Sequence, residues 1–152
     1  QQPRRSRPIQ NEAEAAERLL RNNPRLDPTQ AKNLVPHLLK ATADGLEWAF
    51  DSRASSVFVG ASRDNDAKFW RNILAPCCVI SGMLSHEYWG AEMGNDTFDG
   101  RFAENEMQQR IDLFNDCEHH WFENSGHMVH YDEPGRLADV CLAFFTEKLS
   151  LT

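Results

Sequence analysis

The chain has 152 residues, 41% of them hydrophobic and 26% charged, a globular composition that excludes a largely disordered protein and suffices for one domain with a real core. Its formal charge of −7 argues against nucleic-acid binding, because a phosphate-binding face needs an excess of Lys and Arg. No apolar run approaches the roughly 20 residues of a membrane span.

Residues 1–10 hold the only basic run, "PRRSRP", which reads as a solvated N-terminal arm. The chain starts at Gln1 rather than Met and carries no secretory apolar region. This reads as a trimmed start, a removed organelle presequence being one explanation. "NEAEAAERLL" is a helix start, with Asn11 as cap and Glu14 three residues later as in a capping box. A second helix begins at "LDPTQAKNLVPHLL", with Asp27 as N-cap and Pro28 at the first helical position. Ala31, Leu34, Val35 and Leu38 form its apolar stripe, and Pro36 is expected to kink it or end it nearby.

"DGLEWAFD" gives a turn at Asp44-Gly45 and a short extended piece, and "RDNDAKFWRNI" a short helix. Pro76 to Ser81, in "LAPCCVISG", is apolar without alternation, as expected for a strand covered on both faces. "GMLSHEYWGAEMGNDTFDG" reads as loop, holding Gly82, Gly90, Gly94 and Gly100. A helical pattern returns from Phe102 to Phe114, and "CEHHWFEN" is a second strand candidate. After a Gly-His turn, a helix from about Pro134 has Asp132 or Glu133 as cap. Leu137, Val140, Cys141, Phe144, Phe145 and Leu149 form its apolar face.

Cys77, Cys78, Cys117 and Cys141 show no disulfide framework and read as buried free thiols of a reducing compartment, cytoplasm or organelle matrix. Cys117, His119, His120, His127 and His130 fall in a short span, but without the paired C-x-x-C spacing of a structural zinc site. The neighbours His119 and His120 point to opposite faces of a strand. No metal site and no cofactor are expected on this reading. Trp48, Trp70, Trp89 and Trp121 read as core or cap packing.

The strand–helix–strand unit from Pro76 to Glu123 predicts a parallel pair with a right-handed crossover. Two or three parallel strands make a poor sheet alone, since such sheets need both faces and their edges covered. An α/β fold with an incomplete sheet follows, one that a further polypeptide must complete.

Three stretches carry a family resemblance: "NNPRLDPTQAKNLVPHL … DGLEWAFDSR", "WRNILAPCCVISG" and "SGHMVHYDEPGRLADVCLAFF". Together they resemble the C-terminal half of an α/β-hydrolase of the small bacterial-type ester hydrolases: cap segment, acid loop, and histidine loop with closing helix. The resemblance implies residues 11–74 as a lid-like helical segment and residues 75–152 as part of the hydrolase core. It implies His127 as the inherited general base toward a serine hydroxyl. It puts His86 where the family has its acid, a role an imidazole does not fill. Glu87, after a register shift, or Asp96 and Asp99 further along, are the alternatives. No G-x-S-x-G or G-x-C-x-G occurs, and the nearest trace, "GASRD" at Gly60 to Asp64, lacks the closing glycine, leaving Ser62 a surface serine.

Two expectations stand side by side. The chain is a non-catalytic, pseudoenzyme-like subunit docked through its open sheet on another protein. Alternatively it is the C-terminal part of a split serine ester hydrolase, to which a partner chain supplies the nucleophile.

Overall fold

In the computed structural model, Asn11 and Asp27 begin the first two helices as the sequence predicts. The structure describes residues 8–51, 54, 63–93, 100–101 and 105–150. They belong to two compact units, Gln1–Ala61 and Ser62–Thr152.

In the first unit, α1 spans Glu12–Asn22. The Asn11 side chain accepts from Glu14 N at 2.9 Å, while the Glu14 carboxylate reaches back to Gln10 N at 2.8 Å. Helix α2, Pro28–Leu38, is capped by Asp27 Oδ1, which accepts from Thr29 N and Gln30 N at 2.9 and 3.0 Å. Ala15, Ala16 and Leu19 of α1, with Leu26, Ala31 and Val35, are buried and form this unit's core. Pro36 lies in the last turn of α2, and the helix stops two residues on.

The chain then passes straight into β1, Leu39–Thr42, which pairs antiparallel with β2, Gly45–Trp48. Only the second of these strands is legible in the sequence, because "LKAT" has no alternating pattern. The turn needs Gly45, whose φ is +124°, a value that L side chains rarely adopt. Ile9, at the end of the expected arm, is buried and bridges to Leu46 through hydrogen bonds of 2.9 and 3.1 Å. The rest of the basic run, apart from Pro8, lies outside the described residues.

In the second unit the order is α3 (Arg63–Arg71), β3 (Cys77–Gly82), α4 (His86–Met93), α5 (Glu106–Ile111), β4 (Cys117–Phe122), α6 (Val129–Asp132) and α7 (Pro134–Ser150). Strands β3 and β4 are parallel and run in register from Cys77↔Cys117 to Gly82↔Phe122. The predicted parallel pairing of the two strands is thus present, although α5 is shorter than the predicted helix. Residues 102–104 lie outside the described residues, and beyond Ile111 the chain tightens into turns that bond Phe114 N to Ile111 O at 3.0 Å.

His86–Met93, after β3, is helical where the sequence reads as loop. Gly100 serves close packing there: a Cβ on it would lie 2.2 Å from His86 O and 2.3 Å from Gly90 N, on the backbone of α4. A glycine count therefore misleads there.

Burial is sparse in this unit. Phe122 and Ile111 are buried, but Cys77 to Ser81 are only half-buried. This corrects the expectation of a strand covered on both faces: among the described residues the sheet has two strands, too few to enclose one. The four cysteines are free and half-buried rather than buried. On α7, Val140, Cys141 and Phe144 are half-buried, whereas Phe145 is 59% exposed; Leu74 and Phe69 are exposed at 85% and 72%. No helix among the described residues is long and apolar enough to cross a membrane.

Candidate functional site at the Gly-His turn

Gly82 ends β3, and the turn that follows β4 rests directly on it. A Cβ at that position would stand 2.1 Å from Gly126 O and 2.5 Å from Ser125 O, so only glycine admits the approach. The backbone locks the contact: Leu84 N donates to Ser125 O at 2.9 Å, and Met83 N to Phe122 O at 3.0 Å. The loops after both strands therefore meet at the carboxyl edge of the parallel pair, where sheets of this kind bind ligands.

Side chains ahead of α7 hold the turn from the other side. Fully buried Ser125 donates its hydroxyl to Glu133 Oε1 at 2.7 Å, and Gly126 N donates to Asp132 Oδ2 at 2.7 Å. The backbone carbonyl of Glu133 accepts from Leu137 N at 3.0 Å and so opens α7. The sequence reads Asp132 or Glu133 as the cap of that helix. Their carboxylates instead point back to the Gly-His turn. Arg136 closes the arrangement, with Nη2 donating to Trp121 O at 3.0 Å and the guanidinium 4.1 Å over the Phe122 ring.

His127 follows, on the exposed side of the turn. Its ring stacks on Tyr88, centroids 4.4 Å apart and planes 14° apart, and meets Trp89 edge-on at 4.8 Å and 69°. Both partners lie on α4. Desolvation by these rings, and secondarily the charge of His130, lowers the His127 pKa from its ordinary value. Among the described residues, no carboxylate makes a hydrogen bond or ion pair with His127. His130 lies on α6, exposed, with its ring 4.2 Å from that of its neighbour Tyr131.

His86, at the position where the resemblance puts the acid, is engaged elsewhere. Arg101 Nη2 donates to its Nε2 at 3.0 Å, which assigns the ring proton to Nδ1, 3.3 Å from Met83 O. Glu87 is exposed in the first turn of α4. Asp96, Asp99 and Ser62 lie outside the described residues, and with them most of "GASRD".

A Ser–His pair spans the sheet, with Ser81 Oγ 3.0 Å from His119 Nε2. His119 packs on Trp121 at 4.6 Å, and burial lowers its pKa, with His120 adding to the effect. Ser81 sits within a strand rather than on a strand-to-helix elbow, so it lacks the setting of a hydrolase nucleophile. Sequence reasoning missed the stacking of Tyr88 and Trp89, on α4, against His127, and the Ser125–Glu133 bond that ties the turn to the residues ahead of α7.

The parallel pair with flanking helices, its two loops meeting at the carboxyl edge, defines the class as α/β. No protein-family model matches the chain. No curated protein matches it either. Among solved structures it is similar to the thioesterase domain from the curacin biosynthetic pathway, at 19% identity and a TM-score of 0.64, over 92% of this chain and 47% of that one. It is also similar to E-2-(acetamidomethylene)succinate hydrolase, at 12% identity and a TM-score of 0.69, over 93% and 47%. At such identities the likeness carries the fold alone. That fold is the α/β-hydrolase fold, present here with an incomplete sheet. The chain spans about half the length of the solved structures it matches.

Proposed function

We propose that the chain is the C-terminal half of an α/β-hydrolase unit, is non-catalytic as it stands, and docks on another polypeptide that continues its sheet. The observation that carries this reading is the packing of His127. The described part of the segment that would hold the acid offers the imidazole the rings of Tyr88 and Trp89, and His86 is tied to Met83 and Arg101. A catalytic triad needs a carboxylate on that imidazole and a serine within its reach. The sequence supplies no serine elbow.

Docking is supported by the half-buried strand pair and by the large apolar side chains of Leu74, Phe69, Leu142 and Phe145, which the second unit leaves exposed and a partner would cover. In this reading, residues 11–74 keep the ancestral cap role. The test is the solution behaviour of the isolated chain. Self-association and binding of an apolar-surface dye are expected. A clean monomer with one cooperative melt overturns the docking role.

A second reading, a split serine ester hydrolase, is favoured by the lowered pKa of His127, which keeps the ring neutral as a general base requires. It predicts a co-purifying polypeptide that carries G-x-S-x-G and labels with a fluorophosphonate. If that labelling is lost with His127→Ala, the non-catalytic reading fails.

A further inference from the structure

A cluster of donor atoms lies on the face of the β3–β4 pair opposite Ser81 and His119. The register sets Cys78 beside Glu118, and the two-residue period of a strand brings His120 onto the same face. The Cys78 thiol, a Glu118 carboxylate oxygen and a His120 ring nitrogen all lie within 4.8 Å of one another. The three side chains come from two strands that the hydrogen-bonded ladder holds rigidly.

From this geometry we propose that Cys78, Glu118 and His120 form a binding site for a zinc-type divalent transition-metal ion.

Three observations support it. His120 Nε2 is shielded from solvent and makes no hydrogen bond, although Glu118 Oε1 stands 3.4 Å away. A buried ring nitrogen without a hydrogen bond is uncommon in a folded protein, and a bound cation would satisfy it better than the 3.4 Å contact with Glu118 does. The donor set mixes sulfur, nitrogen and oxygen, which suits zinc and related ions and not magnesium or calcium, whose sites are built from oxygen. The side chains of His120 and Glu118 are 38% and 37% exposed, so an ion can approach the face without unfolding the chain, a turn of the imidazole presenting the shielded Nε2.

Metal–donor bonds of about 2.0–2.3 Å bring tetrahedral ligands to roughly 3.3–3.8 Å of one another, so the side chains need to close by about one ångström. Rotamer adjustment on a half-open face supplies that. Three protein ligands leave a fourth position for water.

The protonation balance is explicit. Burial, with a hydrogen bond to Glu118 next, pushes the Cys78 thiol up to about 11, so it carries its proton in the metal-free chain. On binding, the S–H bond breaks, the proton passes to solvent, and a sulfur–metal bond forms. The carboxylate that accepted the thiol hydrogen bond then faces the cation instead. Nothing is oxidised or reduced. The reading of the chain as a docking half-domain has no part in this inference.

The test uses the full chain, stripped of metal. Zinc is titrated in competition with a chromophoric chelator, and cobalt(II) is added separately and followed in the near ultraviolet. One-to-one binding is expected, with a thiolate-to-cobalt charge-transfer band. Cys78→Ser should abolish the band. His120→Gln should weaken zinc binding by more than the roughly 10- to 100-fold that loss of an outer partner to a metal ligand costs. Cys117→Ser and His119→Gln, on the other face, should leave both readouts unchanged. Far-ultraviolet circular dichroism checks that each variant is folded. Absence of one-to-one binding overturns the proposal. So does binding that survives both Cys78→Ser and His120→Gln, or that depends on Cys117 or His119.

Discussion

The imidazole of His127 lies flat on the ring of Tyr88, 4.4 Å between centroids and 14° between planes. Trp89 closes one edge of the pair and meets Tyr88 at 5.1 Å in a T-shaped contact. Rings in such arrangements contribute about 0.5–1.5 kcal/mol beyond their area. They also strip water from the imidazole, and desolvation disfavours its charged form. His127 is therefore expected to titrate below 6.5 in an NMR pH titration of the histidine ring protons. In Tyr88→Ala water returns to the ring face, and the value should move up toward 6.5. A wild-type His127 that titrates at or above the ordinary value would refute the packing account.

The contact of Gly82 with the Gly-His turn predicts an asymmetry between two glycines. Gly82→Ala forces a methyl into the carbonyls of Ser125 and Gly126, both backbone groups that side-chain rotation cannot move. A cost above about 3 kcal/mol is expected, the upper end of overpacking penalties. Gly135, near the start of α7, has nothing within 4 Å of an added Cβ. Gly135→Ala should stabilise by about 0.5–1 kcal/mol through helix propensity and a less disordered unfolded chain. Urea denaturation of the two variants under one set of conditions checks both signs.

Local rules made much of this fold legible. Asn11 and Asp27 mark helix starts by cap chemistry that acts within a few residues, Pro134 marks a third by its fixed φ, and the apolar run from Pro76 to Ser81 identifies the strand Cys77–Gly82 without reference to its partner. The Gly-His turn is legible for the same reason. What escaped depends on pairing in space. Helix α4 hides behind Gly90 and Gly100, which permit close packing rather than a loop. Tyr88 and Trp89 carry no mark of the histidine they cover. The Cys78–Glu118–His120 face needs the β3–β4 register; the sequence alone groups His120 with Cys117, His119, His127 and His130 and leaves out Cys78 and Glu118.

The bond between Ser125 and Glu133 carries a further prediction. The hydroxyl is fully buried, whereas Glu133 also faces Arg136 Nη1 at 3.4 Å. Removing the acceptor is therefore worse than removing the donor. Glu133→Ala leaves a buried hydroxyl unsatisfied, at about 1–3 kcal/mol, while Ser125→Ala leaves the carboxylate its arginine and costs about 0.5–1.5 kcal/mol. A double-mutant cycle on the pair should give a coupling above about 0.5 kcal/mol. Equal single effects that simply add would show that the hydrogen bond contributes little.

The last prediction concerns pH. His119 and His127 both have pKa values lowered in the folded chain, chiefly by desolvation. As pH falls, the unfolded chain takes up these two protons first, near the ordinary value of 6.5. The unfolded state then binds more protons than the native one, so stability falls with falling pH. The contribution is fully present above 6.5 and is lost as pH drops through the folded values. Urea midpoints measured from about pH 7.5 down to about pH 5.5 stay above the range in which unperturbed carboxylates titrate. The midpoint should fall across that window in the native sequence. In the double variant His119→Gln with His127→Gln the fall should shrink. A slope unchanged by the double substitution would assign the pH dependence to other groups.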